Sequence, residues 1–169
     1  VDSEYGKGSC FTVRIPQQIV NEKPMGTLDS GRRNMADEDQ SQSESLYIPD
    51  CKILAVDDTK MNLAVVKALL KRTGAQLDTA ASGTECLELT KDKKYDLILM
   101  DHMMPEPDGI QTLHLICDDE KNPNHDTPVV VLTANVIAGM KEKYMQEGFV
   151  DYLSKPIETE KLEAVLKKY

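Results

Sequence analysis

The sequence has no tryptophan, and aromatic residues make up only 5% of it. A core must therefore be assembled from Val, Ile, Leu, Met and Ala. Its four cysteines, Cys10, Cys51, Cys86 and Cys117, form no C-x-x-C pair, and no histidine stands near them at zinc-ligand spacing. That excludes the common zinc modules and leaves the thiols of a reduced, cytoplasmic protein as the expectation. No apolar run approaches the roughly 20 residues that a bilayer crossing needs, and no signal peptide opens the chain. Positive charge is in deficit: 20 Lys and Arg stand against 29 Asp and Glu, a formal net charge of −9. A nucleic-acid surface, which draws on Lys and Arg to neutralise phosphates, is disfavoured. An initiator methionine is also missing, and the start at Val1 reads as that of a fragment.

The 169 residues present suffice for one domain with something attached. Three segments are expected. Residues 1–20 have a β-like alternation of Phe11, Val13 and Ile15 with Thr12 and Arg14, after a turn signal at Tyr5-Gly6-Lys7-Gly8-Ser9. Two strands at most are not stable alone in water. Residues 21–50 read as an acidic, flexible linker, because Gly26 to Ser45 hold too few apolar groups to offset the entropy of ordering them. Asp37-Glu38-Asp39 belongs to this solvated stretch, and Tyr47, Ile48 and Pro49 are the first residues expected to touch the next domain.

Residues 51–169 alternate strand and helix patterns. Strands are expected at 52–56, 75–80, 95–100, 128–132 and 149–153. Helices are expected near 62–73, with Val65, Ala68 and Leu69 inward, from the capping-box spacing at Ser82-Gly83-Thr84-Glu85, around Ile110, Leu113 and Ile116, from Val136 to Glu147, and from Glu158 to Lys168. Five βα units in succession imply an α/β fold: a doubly wound, five-stranded parallel sheet with helices on both faces. Such sheets place their functional site outside the carboxyl ends of the strands.

Every strand end but the second supplies a polar group. The first runs into Asp57-Asp58, the third into Asp101, the fourth into Thr133-Ala134, and Lys155-Pro156 follows the fifth. Taken singly, each has an ordinary reading. Asp58 or Thr59 would serve as a helix cap, Thr133 as a strand-end hydroxyl and Lys155 as a surface lysine. Together they put three carboxylates, a hydroxyl and an ammonium on one rim. Carboxylates so placed repel one another, and a hard divalent cation relieves this; Mg²⁺ suits an all-oxygen donor set that must also receive a phosphoryl group. Asp101, on the central strand and followed by the turn-rich loop His102 to Gly109, is the candidate nucleophile. His102 reads as a loop side chain facing solvent, and His114 and His125 as surface residues. The Met103-Met104 pair reads as a loop anchor.

Asp57-Asp58, the run Asp101-His102-Met103-Met104-Pro105-Glu106-Pro107-Asp108-Gly109, Thr133-Ala134 and Lys155-Pro156 resemble the response-regulator receiver domain. The resemblance spans residues 51–169 in order. It implies a flavodoxin-like sheet of order 2-1-3-4-5 with five helices. It implies that Asp101 is the phosphoacceptor, that Asp58, Asp101 and the Met103 backbone carbonyl bind Mg²⁺, and that Asp57 acts on the metal through water. Lys155 would hold the phosphoryl group, Thr133 would swing to it, and Tyr152 would be the aromatic switch behind. Met103 and Asn135 fall where the family tunes phosphoaspartate lifetime. Pro107 departs from the family's usual Met and should alter the loop backbone.

Residues 3–13 look like the last hairpin of a histidine-kinase ATP-binding domain. The whole then resembles the C-terminal end of a hybrid sensor histidine kinase without its ATP-binding boxes or phosphorylated histidine. The implied partner is a kinase phosphohistidine domain or a histidine phosphotransfer protein, met through the family's usual face of fourth helix, fifth strand and fifth helix. In this reading any membrane anchor belongs to the parent kinase, the fragment is expected to touch neither membrane nor nucleic acid, and a homodimer is compatible with it. Set against this are a stand-alone response regulator, a docking-only receiver, which should lack an acidic or lysine residue, and an aspartyl phosphatase, which should carry a second acid soon after Asp101.

Overall fold

The computed structural model describes residues 2–4, 8–10, 12–13, 46–134 and 140–169. The chain divides into two units, Val1–Ser41 and Gln42–Tyr169.

In the first unit, β1 (Asp2–Glu4) and β2 (Gly8–Cys10) pair antiparallel, with Ser3 opposite Ser9. Gly8 and Ser9 are therefore strand rather than turn, and Thr12 and Val13 lie outside any strand. Backbone pairing across a short connection decided the position here, not the alternation of side chains further on. The predicted turn residues Tyr5 to Lys7, the residues Phe11, Arg14 and Ile15, and the linker from 21 to 45 lie outside the described residues.

The second unit runs β3 (Lys52–Val56), α1 (Lys60–Leu70), β4 (Gln76–Ala80), α2 (Gly83–Asp92), β5 (Leu97–Asp101), α3 (Gly109–Cys117), β6 (Val129–Thr133), α4 (Met140–Glu147), β7 (Asp151–Ser154) and α5 (Thr159–Lys168). All five strands are parallel, in spatial order β4-β3-β5-β6-β7. Counted within this unit, the order is the expected 2-1-3-4-5.

The two-residue period of the strands sorts their side chains between two cores. Leu54, Val56, Ile98, Met100, Val129 and Val131 face α2, α3 and α4, meeting Cys86, Leu113, Ile116 and Tyr144. Ile53, Ala55, Leu97, Leu99, Val130 and Leu132 face α1 and α5, meeting Val66, Leu70, Leu162 and Val165. Strands β5 and β6 are buried throughout, which is why they read as unbroken apolar runs.

One helix face differs from expectation. In α1 the inward side chains are Val66 and Leu70, with Leu63 and Leu69 partly covered, whereas Val65 is 42% exposed and Ala68 is also exposed. The segment Leu63-Ala64-Val65-Val66-Lys67-Ala68-Leu69-Leu70 is apolar at almost every position, so its periodicity admits more than one phase. Packing against the sheet selects one.

The helix stops follow local chemistry. Gly74 and Gly148 both take positive φ, at 74° and 108°, which side chains of L-residues rarely adopt. Gly74 also lets the Tyr47 ring lie flush on the backbone: a Cβ there would sit 2.6 Å from the ring. Ile48 donates its N–H to the Thr73 carbonyl at 2.7 Å, and Gln76 reaches the Pro49 carbonyl at 3.2 Å. Residues 46–50 are thus tied to this unit.

At the amino ends of β5 and β6, the side chain of fully buried Asn124 makes four hydrogen bonds. Its Oδ1 accepts from the Tyr95 N–H and the Thr127 hydroxyl, and its Nδ2 donates to the carbonyls of Thr90 and Lys93.

Candidate functional site

The carboxyl ends of β3, β5, β6 and β7 converge on one rim. Asp57 extends the ladder one residue beyond β3, its N–H donating to the Ala80 carbonyl at 3.1 Å, so its side chain is 2% exposed despite its charge. A buried carboxylate is tolerable only when its oxygens are satisfied. Here Oδ1 accepts from the Thr59 N–H at 2.9 Å, the Asn62 amide approaches both oxygens at 3.0 Å, and Oδ2 takes the Lys155 ammonium at 2.6 Å. Thr59 is the N-cap of α1, but its hydroxyl makes no cap bond and turns instead to Asp58 Oδ1 at 3.3 Å. Neither Asp58 nor Thr59 caps the helix with its side chain; Asp57 satisfies the Thr59 N–H. Asn62, in the first turn of α1, went unnoticed in the sequence, where nothing separates it from an ordinary surface asparagine.

Asp101 is the last residue of β5 and is buried. Its Oδ1 accepts from the Met103 N–H at 3.2 Å, and its Oδ2 lies 2.7 Å from Lys155 Nζ. The following loop folds back against the strand. Gly109 donates to the His102 carbonyl at 3.3 Å, and a Cβ at Gly109 would stand 2.2 Å from the Asp101 carbonyl oxygen. The return is locked by a capping box, in which Asp108 and Gln111 each bind the other's backbone N–H. Within the loop the Glu106–Pro107 peptide is cis, and the Thr112 hydroxyl donates to the Pro107 carbonyl at 3.2 Å.

Lys155 follows β7, and its N–H donates to the Thr133 carbonyl at 2.7 Å. The side chain, 18% exposed, reaches across the strand ends to bridge Asp57 and Asp101. Burial alone would push this ammonium down, but its hydrogen bonds to Asp101 and Asp57 and their charges outweigh burial and hold it above the usual lysine value.

The structure brings carboxylate oxygens of Asp57, Asp58 and Asp101 within 4.8 Å of one another. Three carboxylates and one ammonium leave a formal charge of −2. All donors are hard oxygens, so the pocket fits Mg²⁺ in both charge and ligand type. Met103 presents its backbone to Asp101, while its side chain is 69% exposed.

Thr133 ends β6 and is buried. One of its partners is the Tyr144 hydroxyl, 3.3 Å away, which is itself 3.2 Å from His102 Nε2. His102 therefore does not face solvent as expected: it is half-buried, turned inward from the Asp101 loop toward α4. His114 and His125 are exposed, His114 beside Glu147. Tyr152, on β7, is half-buried against the core, with Lys141 Nζ 5.4 Å from its ring centre. Asn135 lies outside the described residues.

A parallel 2-1-3-4-5 sheet with an acidic, lysine-bridged pocket at its carboxyl rim defines a receiver-type α/β module. The family model of the response regulator receiver domain matches residues 53–167, and the chain belongs to that family. It is therefore a receiver domain of two-component signalling. The chain is 32% identical over 170 residues to the aerobic respiration control sensor protein ArcB of Escherichia coli (strain K12), covering all of this chain and 20% of that protein. It is 41% identical over 117 residues to the signal transduction histidine-protein kinase BarA of the same organism, covering 69% of this chain and 12% of BarA. Among solved structures, it resembles the receiver domain of sensor histidine kinase PA1611 from Pseudomonas aeruginosa PAO1, which holds a magnesium ion in its active-site cleft. That likeness has 32% identity and a TM-score of 0.63, over 70% of this chain and 96% of the other. The chain thus spans a fifth of ArcB and about an eighth of BarA. Among the described residues no helix is long and apolar enough to cross a membrane.

Proposed function

We propose that this chain is the phosphoacceptor of a phosphorelay: Asp101 takes a phosphoryl group from a partner's phosphohistidine in an Mg²⁺-dependent transfer. The observation that carries this reading is the Lys155 ammonium, 2.6 Å from Asp57 and 2.7 Å from Asp101, with Asp58 completing an acidic cluster of net charge −2.

In the proposed step an Asp101 oxygen attacks phosphorus, the P–N bond breaks, and the imidazole leaves with the electron pair. Asp57, Asp58, Asp101 and the Met103 carbonyl would hold Mg²⁺, which when bound supplies charge neutralisation for the phosphoryl oxygens. The protein's own contribution is positioning. Lys155 already touches Asp101 Oδ2 and can pass to a phosphoryl oxygen while keeping Asp57. The Met103 N–H orients the other Asp101 oxygen. Thr133, one strand away, donates to the phosphoryl group after turning, and Tyr152 follows it inward as the switch. Met103 and Asn135 would set the lifetime of the phosphoaspartate.

The similarity to ArcB and BarA supports placement in a hybrid sensor histidine kinase, residues 1–20 being the end of its ATP-binding domain and 21–50 a linker. A cytoplasmic site of action fits the free thiols of Cys51, Cys86 and Cys117. The donor or acceptor is then a phosphohistidine domain or a histidine phosphotransfer protein. A phosphatase is disfavoured because His102 and Met103, not a second acid, follow Asp101.

The test is incubation with a small acyl phosphate and Mg²⁺. One acid-stable, base-labile phosphoryl group per chain is expected, lost in Asp101→Asn and in chelator. Multiple turnover of simple phosphate esters would instead make the chain a hydrolase.

A further inference from the structure

The chain of contacts from Thr133 to Tyr144 to His102 lies outside the acidic pocket, and none of the roles proposed above uses Tyr144. Tyr144 is 2% exposed. Its ring meets His102 edge-on at 5.3 Å between centres and 66°, and meets Phe149 at 5.9 Å and 83°. The ring is thus packed edge-on on two sides, which leaves its hydroxyl little room to follow a neighbour that moves. That hydroxyl is 3.3 Å from Thr133 Oγ1 and 3.2 Å from His102 Nε2. His102 Nδ1 is enclosed without a partner among the described residues, so the imidazole's hydrogen bond there is the one to Tyr144.

We propose that Tyr144 is a positioning residue that holds the Thr133 hydroxyl in the resting arrangement, and so sets how much of the chain switches. This rests on the phosphoacceptor reading above. For Thr133 to donate to a phosphoryl group on Asp101, it must turn away from Tyr144. That move leaves a buried phenol with one partner fewer, a cost borne only by the switched state. Through His102, the residue after Asp101, the same hydroxyl ties the β5 loop to α4, so the counterweight is anchored on the segment next to the phosphoacceptor.

The experiment uses the full chain and Tyr144→Phe, which keeps the ring and its two edge-on contacts. The Tyr152 amide resonance is followed by NMR without ligand and with Mg²⁺ plus beryllium trifluoride as phosphoryl mimic. Tyr144→Phe should raise the switched-to-resting ratio of the unliganded chain by roughly 2- to 10-fold, the effect of one buried hydrogen bond. A role in packing alone would lower the thermal midpoint and leave the Tyr152 position unmoved. In the unsubstituted chain, carried out with ¹³Cζ-tyrosine, the Tyr144 signal should shift when the mimic binds, because its bond to Thr133 is broken. An unchanged or lowered ratio in Tyr144→Phe, or a stationary Tyr144 Cζ while Asp101 carries the mimic, overturns the proposal. Failure of the unsubstituted chain to bind the mimic overturns the phosphoacceptor reading itself, and this proposal with it.

Discussion

Asp58→Asn removes one charge from the acidic rim at almost no cost in shape, and the structure specifies what should follow. Asp58 is exposed, makes no ion pair among the described residues, and has a carboxylate oxygen within 4.8 Å of those on Asp57 and Asp101. Each like-charge interaction at that distance costs about 1 kcal/mol even at the dielectric constant of water. Two such terms, partly offset by the nearby Lys155 ammonium, leave a net destabilisation of about 1 kcal/mol in the metal-free chain. The asparagine oxygen can still accept from the Thr59 hydroxyl, now 3.3 Å from Asp58 Oδ1. In chelator at low salt, Asp58→Asn should therefore be more stable than the unsubstituted chain. The urea midpoint should rise by roughly 0.5 M for a slope typical of a domain of this size. High salt should shrink the difference. Saturating Mg²⁺ should reverse it, because a ligand at 100 times its dissociation constant adds about 2.7 kcal/mol to the species that binds it, and the variant has lost a ligand. If Asp58→Asn is no more stable than the unsubstituted chain in low-salt chelator, the electrostatic account of the pocket is wrong.

Two further substitutions probe the frame around that pocket. Lys155→Met strips the counter-ion from two buried carboxylates, touched at 2.6 and 2.7 Å, and should cost about 3 kcal/mol in urea unfolding at pH 7. Because Lys155 is held above its ordinary value of 10.5, its stabilisation is complete below the unfolded-state pKa and is lost as pH rises through the higher folded one. The gap between the two proteins should be flat from neutrality to about 10.5 and close as pH rises from there through the higher folded value; a gap that closes below pH 9 would contradict the assignment. Asn124→Ala leaves the Tyr95 N–H and the carbonyls of Thr90 and Lys93 without a partner at the far end of the sheet. It should cost roughly 3 kcal/mol while leaving the stoichiometry of Asp101 phosphorylation unchanged.

Much of the architecture was legible because it rests on local rules. The fully apolar runs Ile53 to Val56, Leu97 to Met100 and Val129 to Leu132 cannot be exposed on either face, so they had to be central parallel strands. Gly74 and Gly148 had to end helices, since positive φ is what glycine tolerates. Helix α1 resisted because Ala64, Val65, Val66 and Ala68 are all apolar. Local periodicity ranks no phase above another, and contact with the sheet made Val66 and Leu70 the inward pair.

By itself the sequence determined the order of elements, the acidic and basic groups carried to the strand ends, and hence the kind of chemistry available at the rim. Those follow from side-chain period and from which residue comes after each apolar run. Tertiary structure alone decided that Lys155 bridges Asp57 and Asp101 across 98 and 54 positions of chain, that Asn62 serves the same pocket, and that His102 turns inward to Tyr144. Such contacts join residues far apart in the chain, and their partners are chosen by the closure of the sheet and the fit of α1 and α4 against it, which no local pattern records.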